Sequence, residues 1–209
     1  FDKHLIRIII IENGKFEITG KATEPSFHML QVEGAQGKFP FILENGDITI
    51  VINKDSINKS KVSGTYNNDE FVKFNEELIV IQKGLMDFQK KNTPIMTQAQ
   101  QTNDTATINK LMKEYSTIQE GVNTESKKKY NSYAETHPKS FISVLIIQGM
   151  SNDPSVDVKV VEKMYASLDE SLKKSKPGKA IELKIKESKT PSVGASATPA
   201  AQQAPGDSK

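Results

Sequence analysis

The chain has 209 residues, 28 Lys and Arg against 26 Asp and Glu, and a formal net charge of +2. With a pI near 8.5 and no aromatic residues interleaved with its Lys runs, it shows no basic stripe pointing to nucleic acid. It contains no Cys, which excludes thiolate nucleophiles, disulfides and Cys metal sites in this chain.

Hydrophobic residues make up 36%, including nine Phe, enough for a core in one large domain or two small ones. The mean hydropathy of −0.49 implies much exposed polar surface. No apolar run approaches the ~20 residues that span a bilayer, so no transmembrane segment is expected. The opening "FDKHLIRIIII" is short, rich in β-branched residues and lacks a small-residue cleavage site. It reads as a strand rather than a signal peptide. Its position at the very start suggests a trimmed N-terminus.

The first third is expected to be β. "ENG" occurs at Glu12-Asn13-Gly14 and again at Glu44-Asn45-Gly46, each time between apolar runs. Asn-Gly tolerates the positive φ values of a type I′ hairpin turn. Phe16 and Ile18 alternate with Lys15 and Glu17; Ile48, Ile50 and Ile52 alternate with Asp47, Thr49 and Val51. "FHMLQVE" supplies a middle strand and "KVSG" near Lys61 a last short one. About six strands at this turn spacing predict an antiparallel β-sandwich or barrel-like sheet over residues 1–66. The glycines lack strand-to-helix Gly-x-Gly spacing and read as separate turns, not as a phosphate loop.

From residue 67 to residue 189 the pattern turns helical, making the fold α+β. Phe71, Phe74, Leu78, Ile81, Leu85 and Phe88 recur at steps of three and four, and Ile108, Leu111, Tyr115, Ile118 and Val122 repeat the pattern. Asn68 is expected to cap the first helix, with Asp69 and Glu70 suiting its positive end. An antiparallel helical hairpin follows, with "NTPIMTQAQQTND" as either a loop or a helical extension from Pro94. In "HPKSFISVLIIQG", Pro138 is placed in the first turn of a helix. The run Phe141–Ile147 is apolar nearly all round and predicts the most buried helix, ending near Gly149. Asp153-Pro154 is expected to start the next, with Val158, Val161, Met164, Tyr165 and Leu168 inward. A last helix carries Ile181 and Ile185 and stops before Pro191. Residues 190–209 are dominated by Ala, Ser, Pro, Gln and Gly and keep no apolar period.

No catalytic, cofactor or metal site is nominated. His4, His28 and His137 are far apart, without metal-ligand spacing, and each reads as structural. Gly-x-Ser-x-Gly is absent. Glu76 and Glu77 diverge on a helix and read as solvated. Lys127, Lys128 and Lys129, and the cluster Lys173, Lys174, Lys176 and Lys179, read as solvated helix faces.

The features "NGKFEITG", "EP" before a strand, "FILENGDITI" and "VSGTYNNDEF" resemble a bacterial domain of unknown function that precedes thioredoxin-like modules of the thiol-specific antioxidant group. "THPKSFISVLIIQ" and "YASLDESLKKSKPGKAIELKIKE" resemble the helical segment leading into the thioredoxin fold there. The resemblance covers residues 8–195. Val193-Gly194-Ala195 matches the opening of that family's "vG.xAPdF" stretch, but the aromatic after the Pro is missing and the redox Cys-x-x-Cys matches no position. The resemblance implies that residues 190–209 are a linker or the start of an absent thioredoxin-like domain. It implies a non-catalytic N-terminal interaction and positioning module of an extracytoplasmic thiol–disulfide oxidoreductase, in the periplasm or cell envelope, with a protein partner or a homodimer. The alternative is a stand-alone β-sandwich module that binds a peptide or glycan. Absent Trp and only five Tyr favour it less.

Overall fold

The structure is a computed structural model and describes residues 14–189. The expected first strand, His4, Asn13 and the segment 190–209 lie outside the described residues. The elements are β1 (Ser26–Leu30), β2 (Phe39–Leu43), β3 (Thr49–Val51), a 3-10 turn (Ile57–Lys59), β4 (Lys61–Ser63), α1 (Tyr66–Gln101), α2 (Thr105–Thr136), α3 (Phe141–Ser151), α4 (Val158–Ser167), α5 (Glu170–Lys173) and α6 (Lys176–Lys189).

Among the described residues, the β-sandwich or barrel expected for the first third is not formed. The described strands form two separate antiparallel ribbons, β1 with β2 and β3 with β4, and helix dominates the fold. Alternation identified strands but not what covers them. Along β2, period-two alternation sends Ile42 into the helical core. Phe39 and Phe41 turn the other way, to Ile57, Val62, Ile48, Ile50 and Ile52. A helix thus takes the place of the second sheet, with Val72 of α1 packed on the small cluster and Phe71 edge-on to Phe27, 5.9 Å between centroids. The second "ENG" is not a hairpin turn, because it joins strands of different ribbons. Asn45 instead pairs with the backbone of Ala22, accepting from its N–H at 3.0 Å and donating to its carbonyl at 2.8 Å. Gly46 sits beside it at φ 129°, which a side chain would rarely adopt.

The two long apolar stripes do form an antiparallel hairpin. Steps of three and four make the seam of a two-stranded coiled coil. Phe74 meets Tyr130 and Phe88 meets Tyr115, at centroid distances of 5.7 and 6.4 Å. With 36 residues, α1 is about 54 Å long. The segment from Pro94 is helical extension, not loop. Asn103, at φ 54°, turns the chain. The Asp104 N–H donates to the Ala99 carbonyl and the Asn103 N–H to that of Gln100, a Schellman closure. Asp104 then caps α2 by accepting from the Thr107 N–H.

Three helix starts differ from expectation. α1 begins after Thr65, so Asn68 lies inside its first turn. α3 is capped by Ser140, with Pro138 in the preceding turn. α4 is capped by Asp157, because Asp153 closes a local turn on the Ser155 N–H and hydroxyl. As expected, α3 is deeply buried: Phe141, Ile142, Val144 and Ile147 enter a core with Phe74, Tyr133, Val161, Met164, Leu168, Leu172, Ile181 and Ile185.

Gly178 lets α6 close on α5. A Cβ there would lie 2.1 Å from the Leu172 carbonyl oxygen and 2.6 Å from that of Lys173. Gly178→Ala is expected to destabilise the fold by about 1–3 kcal/mol through overpacking, read as a lower thermal midpoint.

Candidate functional site

The sequence offered no chemistry-bearing residues, and the structure assembles polar groups where sequence spacing gave no hint. They gather where the N-terminal turn of α1 meets β2, the end of α2 and the start of α3.

Asn68 is fully buried. Its Oδ1 accepts from the Ile42 N–H at 2.9 Å, and its Nδ2 donates to the Ile42 carbonyl at 2.7 Å and to the Thr65 hydroxyl at 2.8 Å. The carboxamide thus stands in for a neighbouring strand and satisfies both polar groups of a buried residue. Asn67 reaches two other elements. Its N–H and its Nδ2 donate to the Glu44 carboxylate at 3.0 and 2.6 Å, and its Oδ1 accepts from the Phe141 N–H at 2.7 Å. Two adjacent Asn side chains therefore tie β2, α1 and α3 together. A buried Asn can do this because its amide carries both donor and acceptor.

One turn on, the Tyr133 hydroxyl donates to Glu70 Oε2 at 2.9 Å and lies 3.0 Å from the Ser140 hydroxyl. Since Tyr133 gives its single proton to the carboxylate, Ser140 donates to it. Ser140 also accepts from the Ile142 N–H as the α3 cap. Lys73 pairs with Glu70 Oε1 at 3.2 Å, and His137 Nε2 lies 3.6 Å from Glu70 Oε2. The His137 ring stacks on Tyr133, with centroids 4.2 Å apart and planes 2° apart. Although Ser, His and Glu converge, the arrangement is not a nucleophilic triad. Ser140 is fully buried and its hydroxyl is committed to Tyr133 and Ile142. His137 turns Nε2 to Glu70 and Nδ1 to Thr136 and the Tyr133 carbonyl.

Burial of the Glu70 side chain works upward on its carboxyl, but the Tyr133 hydroxyl, Lys73 and His137 outweigh it and hold the group below its ordinary range. Burial pushes the Tyr133 hydroxyl up, and the Glu70 carboxylate adds to the rise. A depressed carboxylate binds its proton more weakly in the folded state than in the unfolded one. Its stabilisation is present above the ordinary carboxylate range and is lost as pH falls through the folded value. Below pH 4.5 the wild type is therefore expected to lose stability faster than Glu70→Gln, in urea midpoints taken from pH 7 to pH 3.

The joint carries an arm. Residues 79–129, the distal parts of α1 and α2, belong to neither core cluster. They pack on each other along the seam, with Lys129 and Glu77 paired at the foot. Ile79, Val80, Met86 and Ile95 on α1 and Met112 on α2 remain exposed.

An open cleft of about 270 Å³ lies between β1 and α3, lined by Pro25, Phe27, Phe141, Leu145 and Gln148. Beside it Glu24 accepts from the Lys176 N–H at the start of α6, at 2.8 Å. Among the described residues, no group of three or more His, Asp or Glu is placed to hold a metal. None of the described helices is long and apolar enough to cross a membrane. His28 lies on β1, 2.9 Å from the Ser26 hydroxyl, far along the chain from His137.

Residues 6–71 match the family model of a domain of unknown function, DUF4369. The matched stretch is less than half of the chain. This DUF4369 region contains β1 to β4 and ends inside α1, just past Asn67, Asn68 and Glu70. The partners Tyr133, Ser140 and Phe141 lie beyond it, so the joint fastens the DUF4369 region to the helices that follow. Comparison with the curated proteins gives no match, and comparison with the solved structures gives none.

The sequence reading missed Asn67, Tyr133 and Ser140 and assigned Asn68 a capping role. The available signal was "TYNNDE": two Asn in the first turn of a helix, where one cap suffices.

Proposed function

We propose that this chain is a non-catalytic positioning module, whose two-helix arm holds a protein partner away from the body. By the resemblance of its strand and helix motifs, the setting is an extracytoplasmic thiol–disulfide oxidoreductase with a thioredoxin-like module. What supports the reading is the arm at residues 79–129, outside the core and anchored by the buried Asn67–Asn68 joint. A long seam that buries nothing but itself adds little to the body, so its use lies in reach. The β-sandwich alternative has no sandwich to rest on.

Thiol–disulfide exchange needs a thiolate, and this chain has no Cys. The purified chain is expected not to accelerate reduction of insulin disulfides, in a turbidity assay with dithiothreitol as reductant, beyond the protein-free control. The positioning role is tested with photo-crosslinkers at Lys91 and Lys110 on the arm and at Lys159 on the body. The arm positions are expected to capture a partner protein that the body position misses. Adducts from Lys159 alone would contradict the reading, and arm adducts with a second copy only would make the arm a dimer contact instead. The reading frame after Lys209 tests the setting: a Cys-x-x-Cys module agrees, and an unrelated domain contradicts it.

A further inference from the structure

The arm contains two glycines in helix interiors, Gly84 in α1 and Gly121 in α2. Glycine lowers helix stability relative to Ala, because it has the most backbone freedom to lose. A glycine inside a helix is accounted for where it makes room for a neighbour or takes a positive φ. Neither holds here. A Cβ on Gly84 or on Gly121 would meet nothing within 4 Å. Both keep negative φ, since the positive-φ glycines are Gly14, Gly34, Gly37, Gly46 and Gly64.

The two also sit at one height. In an antiparallel hairpin each step up α1 is a step down α2. Phe88 faces Tyr115, and Glu77 pairs with Lys129. Between these contacts Gly84 stands level with residues 119–122, and Gly121 is among them. Both helices are thus weakened at the same level, part-way from the joint to the tip. The Lys83–Asp87 ion pair straddles Gly84, but an exposed pair one turn apart restores less than the glycine removes.

We infer that the Gly84–Gly121 level is a hinge, at which the outer arm bends relative to the body while the seam stays closed. It is a property of the arm itself and stands whatever the arm holds. Helices bend where backbone restraint is weakest, and glycine restrains it least. Pro94, nearer the tip, interrupts α1 alone, whereas the glycine level weakens both helices together.

The lack of Cys makes the test clean, because spin labels attach only at introduced thiols. Labels at Lys91→Cys, beyond Gly84 and short of Pro94, and at Lys159→Cys report tip-to-body distance; labels at Glu76→Cys and Lys159→Cys report base-to-body distance. By pulsed electron paramagnetic resonance, the tip distribution is expected to be broad and the base distribution narrow. Gly84→Ala with Gly121→Ala, both into open space and both favouring helix, should narrow the tip distribution to the width of the base pair. Gly149→Ala in α3, equally unobstructed, should leave it broad. A tip distribution already as narrow as the base, or one unchanged by the double substitution, would overturn the hinge.

Discussion

Asn68→Ala is expected to lower unfolding free energy by about 2–5 kcal/mol, a large share of the ~5–15 kcal/mol that holds a typical domain. The substitution does more than delete three hydrogen bonds. It leaves the Ile42 N–H and carbonyl buried and unpaired, since Ile42 has no exposed surface. Each orphaned backbone group carries a desolvation penalty of ~1–3 kcal/mol. Asn68→Asp is nearly isosteric and still accepts from the Ile42 N–H. It turns an oxygen toward the Ile42 carbonyl, so it should destabilise as well. Urea unfolding followed by helical circular dichroism measures both. A loss below ~1 kcal/mol for either would mean that water or relaxation replaces the carboxamide.

Ile42→Ala is expected to cost about 2–5 kcal/mol, the range for truncating a fully buried aliphatic side chain. Ile42 is the strand residue in a core made chiefly by helices. The cavity would open in the core that Ile42 shares with Phe74, Phe141 and Val144, which are themselves almost completely buried. Because the side chain comes from β2 and most of that core from helices, the loss should appear in the helical signal as strongly as in any probe on the strands. If only the β ribbons loosened while helicity and midpoint held, strand and helices would not share a core.

The helical hairpin was legible because its seam repeats at steps of three and four over many turns, which solvent-facing positions do not obscure. Its turn was not, because two residues make it. Asn103 supplies a left-handed conformation and Asp104 a cap, both inside a polar stretch that reads equally well as loop. The β region failed differently. Alternation such as Ile48, Ile50, Ile52 marks a strand with one apolar face, and those residues do turn inward. It does not say whether a sheet or a helix covers that face, and here α1 does. Asn68 shows the limit for single residues. Asn at a helix start reads as a cap, yet its partner is Ile42, far back along the chain, and Asn67 reaches Phe141 farther ahead. Contacts between residues so distant in sequence leave no local pattern.

Amide hydrogen exchange at Ile42 and Phe141 tests the joint most directly. Their N–H groups donate to Asn68 and Asn67, one on a strand and the other at the start of a helix. If the joint binds β2, α1 and α3 into one unit, both amides open only with global unfolding, and Asn68→Ala accelerates both together. Fast exchange at Ile42 with Phe141 still fully protected, in the wild type or in the variant, would contradict it.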